Sequence, residues 1–282
     1  MGVHGEPELL LPPEQGAIRR FIRTVIFSVL SIIVLPFVFL YGLLLHKSAV
    51  VDTFSKVFIK KALDRRNVFD TKSREFVWST KMGKIYARAL EYQVMEGYCS
   101  SATQRCMLKS HNIALEDAGK PVLPLPPSLK KPDVPEGFQK NIEKYLKNGN
   151  QAGRLEINIV RGAENEDQYE AFLKTMKLTV HPSGKYRVAV NFLRSAIFGV
   201  HNYLPHNLLL GMLGGHFSPV ITYWESEPTQ EGGKSEPMVA VFDVNHAYGL
   251  CILPAKKLYD AVQTHDILSG KSRGTLVTCL KD

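Results

Sequence analysis

Residues Thr24 to Leu45, TVIFSVLSIIVLPFVFLYGLLL, run without one charged side chain. As a helix this stretch is about 33 Å long, enough to cross a hydrocarbon core of about 30 Å. It starts late, is long and ends in the bulky YGLLLH, unlike a cleavable signal, which starts near the first residue and ends in small residues. The expectation is an uncleaved single-pass anchor in a lipid bilayer, kinked at Pro36 as membranes tolerate. Arg19, Arg20 and Arg23 precede it, and Lys47, Lys56, Lys60 and Lys61 follow, so flanking charge does not fix orientation.

Beyond the anchor about 235 residues remain, enough for one large core. The formal charge is +8, but the basic residues are dispersed among 27 acidic ones. No aromatic-basic array marks a nucleic-acid binder, so no nucleic-acid partner is expected. The four cysteines, Cys99, Cys106, Cys251 and Cys279, lack the dense spacing of a disulfide framework, and no Asn-x-Ser/Thr acceptor occurs. Both features favour a cytosolic domain.

The chain divides into a tail over 1–23, the anchor over 24–45, a juxtamembrane helical segment over 46–80 and a globular domain over 81–282. Apolar and basic positions alternate at helical spacing over 49–66, a pattern shared by a lipid-facing amphipathic helix and an ordinary surface helix. Periodicity predicts further helices over 83–95, 99–111 and 138–146. Six prolines within 119–137 predict a linker. Short runs of Val, Ile and aromatics predict strands over 154–160, 177–182, 186–192, 217–224 and 238–244, with HPSGK and the polar 225–237 as hairpin loops. Helices first and an antiparallel sheet later make the class α+β.

No HExxH, paired CxxC or phosphate-binding glycine loop occurs, and the histidines lack metal-site spacing, so no resident metal or cofactor is expected. What remains is a polar constellation in three windows. Cys99 follows Gly97-Tyr98 and precedes Ser100, Ser101 and Ala102, a helix start whose free N–H groups favour thiolate. His216 stands at the mouth of a strand in GMLGGHFSPV, and Asp243 ends the next strand in VAVFDVNHAYG. Adjacent antiparallel strands can place a carboxylate against an imidazole that deprotonates a thiol. Cys106, Tyr98 and Trp224 read as packing residues, and His201 and His206 as solvated loop histidines.

These windows resemble a known family. YQVMEGYCSSAT, with Gln93 six residues before Cys99, is similar to the nucleophile segment of the phytochelatin synthases, papain-like enzymes that act on glutathione. GGHFSPV resembles their Gly-His-Phe-Ser-Pro motif, and VFDVNHAYG followed by ILPAKKLYDAV resembles their aspartate segment and succeeding helix. The likeness covers roughly residues 80 to 270, with strong identity confined to the three windows.

The resemblance implies a papain-like fold, with a helical half carrying the nucleophile and an antiparallel sheet carrying His and Asp. It implies that Cys99 attacks glutathione to form a γ-glutamylcysteinyl thioester, that His216 moves the proton, that Asp243 holds the imidazole and that Gln93 donates to the oxyanion. Water or a second thiol peptide then takes the acyl group, with heavy-metal ions or their thiolates stimulating transfer. Ser100, Gly215 and His246 are the expected substrate contacts. Two of these depart from the family, which commonly has glycine after the cysteine and arginine three residues after the aspartate. No counterpart of the plant enzymes' cysteine-rich carboxy-terminal region is expected, so cleavage is a firmer expectation than chain extension. The departures keep two alternatives open: an amidase or acyltransferase for another γ-glutamyl or lipid-linked amide, and an inactive membrane-tethered interaction module.

Overall fold

A computed structural model describes residues 7–12, 16–63, 71–113, 116–117, 120–121, 134–161, 166–200, 204–226 and 235–281. Helix α1 (Ala17–Leu45) contains the whole apolar run and begins seven residues before it. Within α1, Phe21–Leu45 is long and apolar enough to cross a membrane. α2 (Lys47–Phe54) follows after one residue and widens into a π-helical turn, Ser55–Ile59, in place of the longer helix expected to residue 66. Positions 64–66 lie outside the described residues.

α3 (Thr71–Ser79) and α4 (Lys81–Tyr86) precede the nucleophile segment. The helix expected over 83–95 stops at Tyr86, and the chain then turns so that the Gln93 N–H donates to the Val244 carbonyl at 2.7 Å. α5 (Cys99–Ser110) matches its expected span, and α6 (Pro135–Asn148) starts on a proline, which suits the first helical turn. Most of the proline-rich linker lies outside the described residues; β1 (Glu116–Asp117) and β2 (Lys120–Pro121) pair beside it.

The main sheet has six strands in the order β3-β8-β4-β5-β6-β7, all neighbours antiparallel. They are β3 (Leu155–Val160), β4 (Tyr186–Leu193), β5 (Gly215–Glu225), β6 (Pro237–Asp243), β7 (Gly249–Pro254) and β8 (Gly274–Leu280). The strand expected over 177–182 is instead the end of α7 (Glu166–Lys177) and a 3₁₀ turn, Leu178–Val180, so HPSGK is not a hairpin. Tyr169, Phe172, Leu173 and Met176 repeat at helical spacing and pack into the core, which outweighs the short β-like KLTV. α8 (Arg194–Phe198), α9 (Pro205–Leu213) and α10 (Ala255–Val262) complete the described elements.

Period-two alternation buries both faces of the sheet. Val188, Val190, Val239 and Val241 face α7, α8 and α10. On the other side, Ala240 and Phe242 meet Trp78, Met82 and Tyr86, while Ala189, Phe217 and Leu276 meet Met107, Phe138 and Ile142. Helices on both faces of an antiparallel sheet make the chain α+β.

Hydrogen bonds at both ends fix α5 across this sheet. At its start the Thr103 hydroxyl donates to the Phe217 carbonyl at 3.0 Å. At its end buried Arg187 donates to the Ser110 carbonyl at 2.7 Å and the Ser110 hydroxyl at 2.9 Å, a cation placed where the helix dipole favours one.

Next to this clamp the buried His111 ring meets the Thr278 hydroxyl at 2.8 Å. Burial, with Arg187 and Arg154 nearby, pushes its pKa down from 6.5 to about 3. The unfolded chain therefore takes up this proton first, and folding stability falls as pH drops from about 6.5 toward about 3. We predict a loss of about 1.4 kcal/mol per pH unit from this residue, seen in denaturant melts, and a shallower acid slope in His111→Asn.

Candidate active site

Three strand ends converge on one point. Phe192 pairs with His216 and Leu193 with Gly215, so Arg194, next along the chain, begins α8 beside the His216 ring. Asp243 is the last residue of β6, which lies against β5. Side-chain alternation turns His216 and Asp243 to the face of Phe192, whose ring meets the imidazole edge-on at 5.6 Å. α5 lies on the opposite face and brings Cys99, its first residue, to the end of β5.

His216 Nε2 lies 2.7 Å from Asp243 Oδ1. The Cys99 thiol lies near enough for the His216 charge to lower its pKa. The Phe217 backbone also lowers the Cys99 thiol pKa, and its carbonyl accepts from Thr103 of α5. Cys99, His216 and Asp243, drawn from positions up to 144 residues apart in the chain, meet at one place, with His216 and Asp243 hydrogen-bonded to each other. Cys99 is half-buried, while His216 and Asp243 are buried.

The charges reinforce one another. Burial pushes the Cys99 thiol up, but the His216 charge and hydrogen bond, the Phe217 N–H and the Arg194 charge hold it below its ordinary value. Burial and Arg194 push His216 down, yet Asp243 and the Cys99 sulfur hold it above the usual imidazole range. Burial would raise Asp243, but His216 and Arg194, with the Asn245 N–H, keep it low. All three shifts run toward thiolate, imidazolium and carboxylate. Cys99 also opens α5, where the first-turn N–H groups stabilise negative charge and no acidic side chain competes.

Sequence reasoning missed Arg194. Its Nε donates to Asp243 Oδ2 at 2.9 Å and its Nη2 to Oδ1 at 3.1 Å, a two-pronged grip. Its guanidinium lies 4.3 Å from the centre of the Tyr248 ring. Nη2 is 2.9 Å from both ring nitrogens of His216, and a point equidistant from both is in line with neither lone pair. The guanidinium thus packs against the imidazole without taking the position Cys99 needs. The signal available was NFLRS: once the strands holding Asn191 and Phe217 are paired, the arginine falls beside His216.

Of the other expected site residues, Gln93 is buried and its backbone joins the chain just past Asp243. Its buried side-chain oxygen has no partner. Gly215 faces Arg273 and Asn191, and a Cβ there would come within 2.3 Å of the Arg273 guanidinium. Ser100 is buried, and its hydroxyl accepts from Gln104 Nε2 at 3.0 Å, so that hydroxyl is engaged inside α5. His246 is exposed, in an edge-on contact with Tyr92, which stacks on Phe242.

Cys106 is fully buried, and its thiol, which receives the Glu91 N–H at 3.4 Å, is pushed up to about 12. That is packing chemistry, as expected. His206 is not a solvated loop residue: it lies on α9 and meets the Ser28 hydroxyl of α1 at 2.8 Å. His201 lies outside the described residues.

Comparison with protein-family models and with curated protein sequences returned no match.

Removing Arg194 leaves Asp243 with one charged partner in a buried place. We predict that Arg194→Met loses about 3 kcal/mol in denaturant melts, the lower part of the range for breaking a buried ion pair, and that Arg194→Lys recovers only part of it.

Proposed function

We propose that this chain is a membrane-attached cysteine acyltransferase and peptidase of the phytochelatin synthase kind, with a papain-like arrangement of nucleophile helix and antiparallel sheet. The observation that carries the reading is the convergence of Cys99, half-buried at a helix start, with His216, which Asp243 holds through Nε2. The motif resemblance in the same three windows supports glutathione as the substrate.

In this reading the Cys99 thiolate attacks the carbonyl carbon of the Cys-Gly peptide bond. A carbon–sulfur bond forms, and the carbonyl π electrons move to oxygen. The side-chain N–H of Gln93 and the Cys99 backbone N–H are the groups we assign to that oxyanion, a stabilisation worth about 3 kcal/mol per donor. As the carbonyl re-forms, the carbon–nitrogen bond breaks and the His216 imidazolium gives its proton to the departing glycine nitrogen. Asp243 holds Nε2 throughout, which fixes the orientation of the imidazole. The thioester is then opened by water, giving γ-glutamylcysteine, or by the amino group of a second thiol peptide, giving a longer chain. In either case neutral His216 takes the nucleophile's proton and the thiolate is restored. We place this chemistry in the cytosol, a reading supported by Cys99, Cys106 and Cys279 being thiols.

A second reading takes a lipid-linked amide as substrate. It is favoured by the apolar helix α9, which ends at Leu213, three residues before His216.

The test uses the full chain in detergent micelles, with glutathione and a readout of released glycine. We expect release, with Cys99→Ala or His216→Ala lowering it by at least about 10³-fold. Intact glutathione with the unmodified chain overturns glutathione as substrate. Adding zinc or cadmium to the same mixture reads whether longer γ-glutamylcysteinyl chains form.

A further inference from the structure

The apolar helix is tied to the catalytic domain at both ends. Before it, Leu9 packs against the cluster of Trp78, Met82, Leu250 and Ile252. After it, Val57 packs among Phe172, Val190 and Leu258. Between these points α1 touches the domain along its length. Arg23 forms an ion pair with Glu96 at 2.8 Å, three residues before the nucleophile. Ser28 meets His206, and Gly42 lies so close to Ile267 and Val50 that a Cβ would approach the Ile267 side chain to 2.4 Å.

The contacting positions, Arg23, Ser28, Ser31, Leu35, Val38, Phe39, Gly42 and His46, recur at helical spacing along one side of α1. Most of the remaining surface of α1 is exposed and apolar, including Phe27 at 54%, Ile33 at 56% and Phe37 at 68%. A 25-residue helix is about 37 Å long. Were it to stand across a bilayer, the domain packed along it would enter the hydrocarbon too, with Glu96, whose side chain is 65% exposed.

We propose that α1 does not cross the membrane but lies in the plane of one leaflet, forming with α2 and α9 a monotopic platform that seats the catalytic domain on the acyl layer. α1 has no polar face because the domain covers the stripe where one would be. α9, PHNLLLGML, packs along α1. α2 adds exposed Val51 and Phe54, and the turn after it adds Ile59 at 72%. The three elements enclose an apolar groove of about 480 Å³, lined by Leu35, Phe39, Leu43, Phe54, Leu208 and Met212, whose size and chemistry suit an acyl chain. Exposed Lys47 and Lys61 lie at the end of the platform, at the level of headgroup phosphates in this arrangement.

α9 runs directly into Gly214, Gly215 and His216, and Arg273, buried beneath, donates to the Leu213 carbonyl at 3.2 Å. Platform and reactive centre are therefore parts of one rigid connection.

The test reads topology on the full chain with an epitope at each terminus, expressed and collected in sealed vesicles. Protease is added with and without detergent. The proposal requires both epitopes to share one fate without detergent, both lost or both protected, and the chain to stay in the pellet after alkaline carbonate. One epitope lost while the other survives overturns it in favour of a crossing. Release by carbonate overturns insertion into the acyl layer. Neither readout uses glutathione, so its failure is distinguishable from failure of the proposed reaction.

Discussion

A carboxylate at 1% exposure, as at Asp243, is stable in its charged form only if donors converge on it. Here they are His216, both prongs of Arg194 and the backbone N–H of Asn245 at 2.8 Å. Each donor belongs to a different segment, so satisfying one buried charge fixes the end of β4, the start of β5 and the turn after β6 relative to one another. The imidazole held this way lies beside Cys99. The sheet register thus sets the charges around the sulfur, and α5, fixed by Phe217 near one end and Arg187 at the other, supplies the sulfur.

How much of this could be read from residues alone differed by scale. β4, β5 and β6 were legible because alternating Val, Ile and aromatic residues mark strands buried on both faces. α5 and α6 were legible from helical spacing. β7, GLCILP, and β8, GTLVTCL, went unread although glycine-bearing turns, NHAYG and SGKSRG, precede them. α7 was missed because the short β-like run after it drew the assignment, although its Tyr169, Phe172, Leu173 and Met176 repeat belongs to a helix. α9 was missed because LLLGML, the apolar run that makes up most of it, carries no period. The Cys, His and Asp positions were legible as motifs, whereas Arg194 was not: its importance arises only from which strand lies beside which, and strand order is a long-range property.

The apolar stretch shows the same limit. Length and composition identify a segment that prefers hydrocarbon, and they do so correctly for a spanning and for an in-plane helix alike. What separates the two is contact between distant parts of the chain: Leu9 and Val57 on one body, Arg23 on Glu96, Ser28 on His206. An arrangement that seats the domain on a leaflet also brings the strand bearing His216 close to the lipid surface. It makes the identity of the amide substrate a question of geometry as well as of recognition.

The central claim is that Cys99 is a thiolate at neutral pH because His216, steadied by Asp243, is an imidazolium. Ultraviolet thiolate absorbance, recorded against pH as the difference between the full chain and Cys99→Ser, reads this directly. The account predicts that the Cys99 signal is present at neutral pH, disappears only on acidification, and moves up toward the ordinary thiol range in His216→Ala. A signal that appears only in the alkaline range of a free cysteine, and is indifferent to His216, would contradict it.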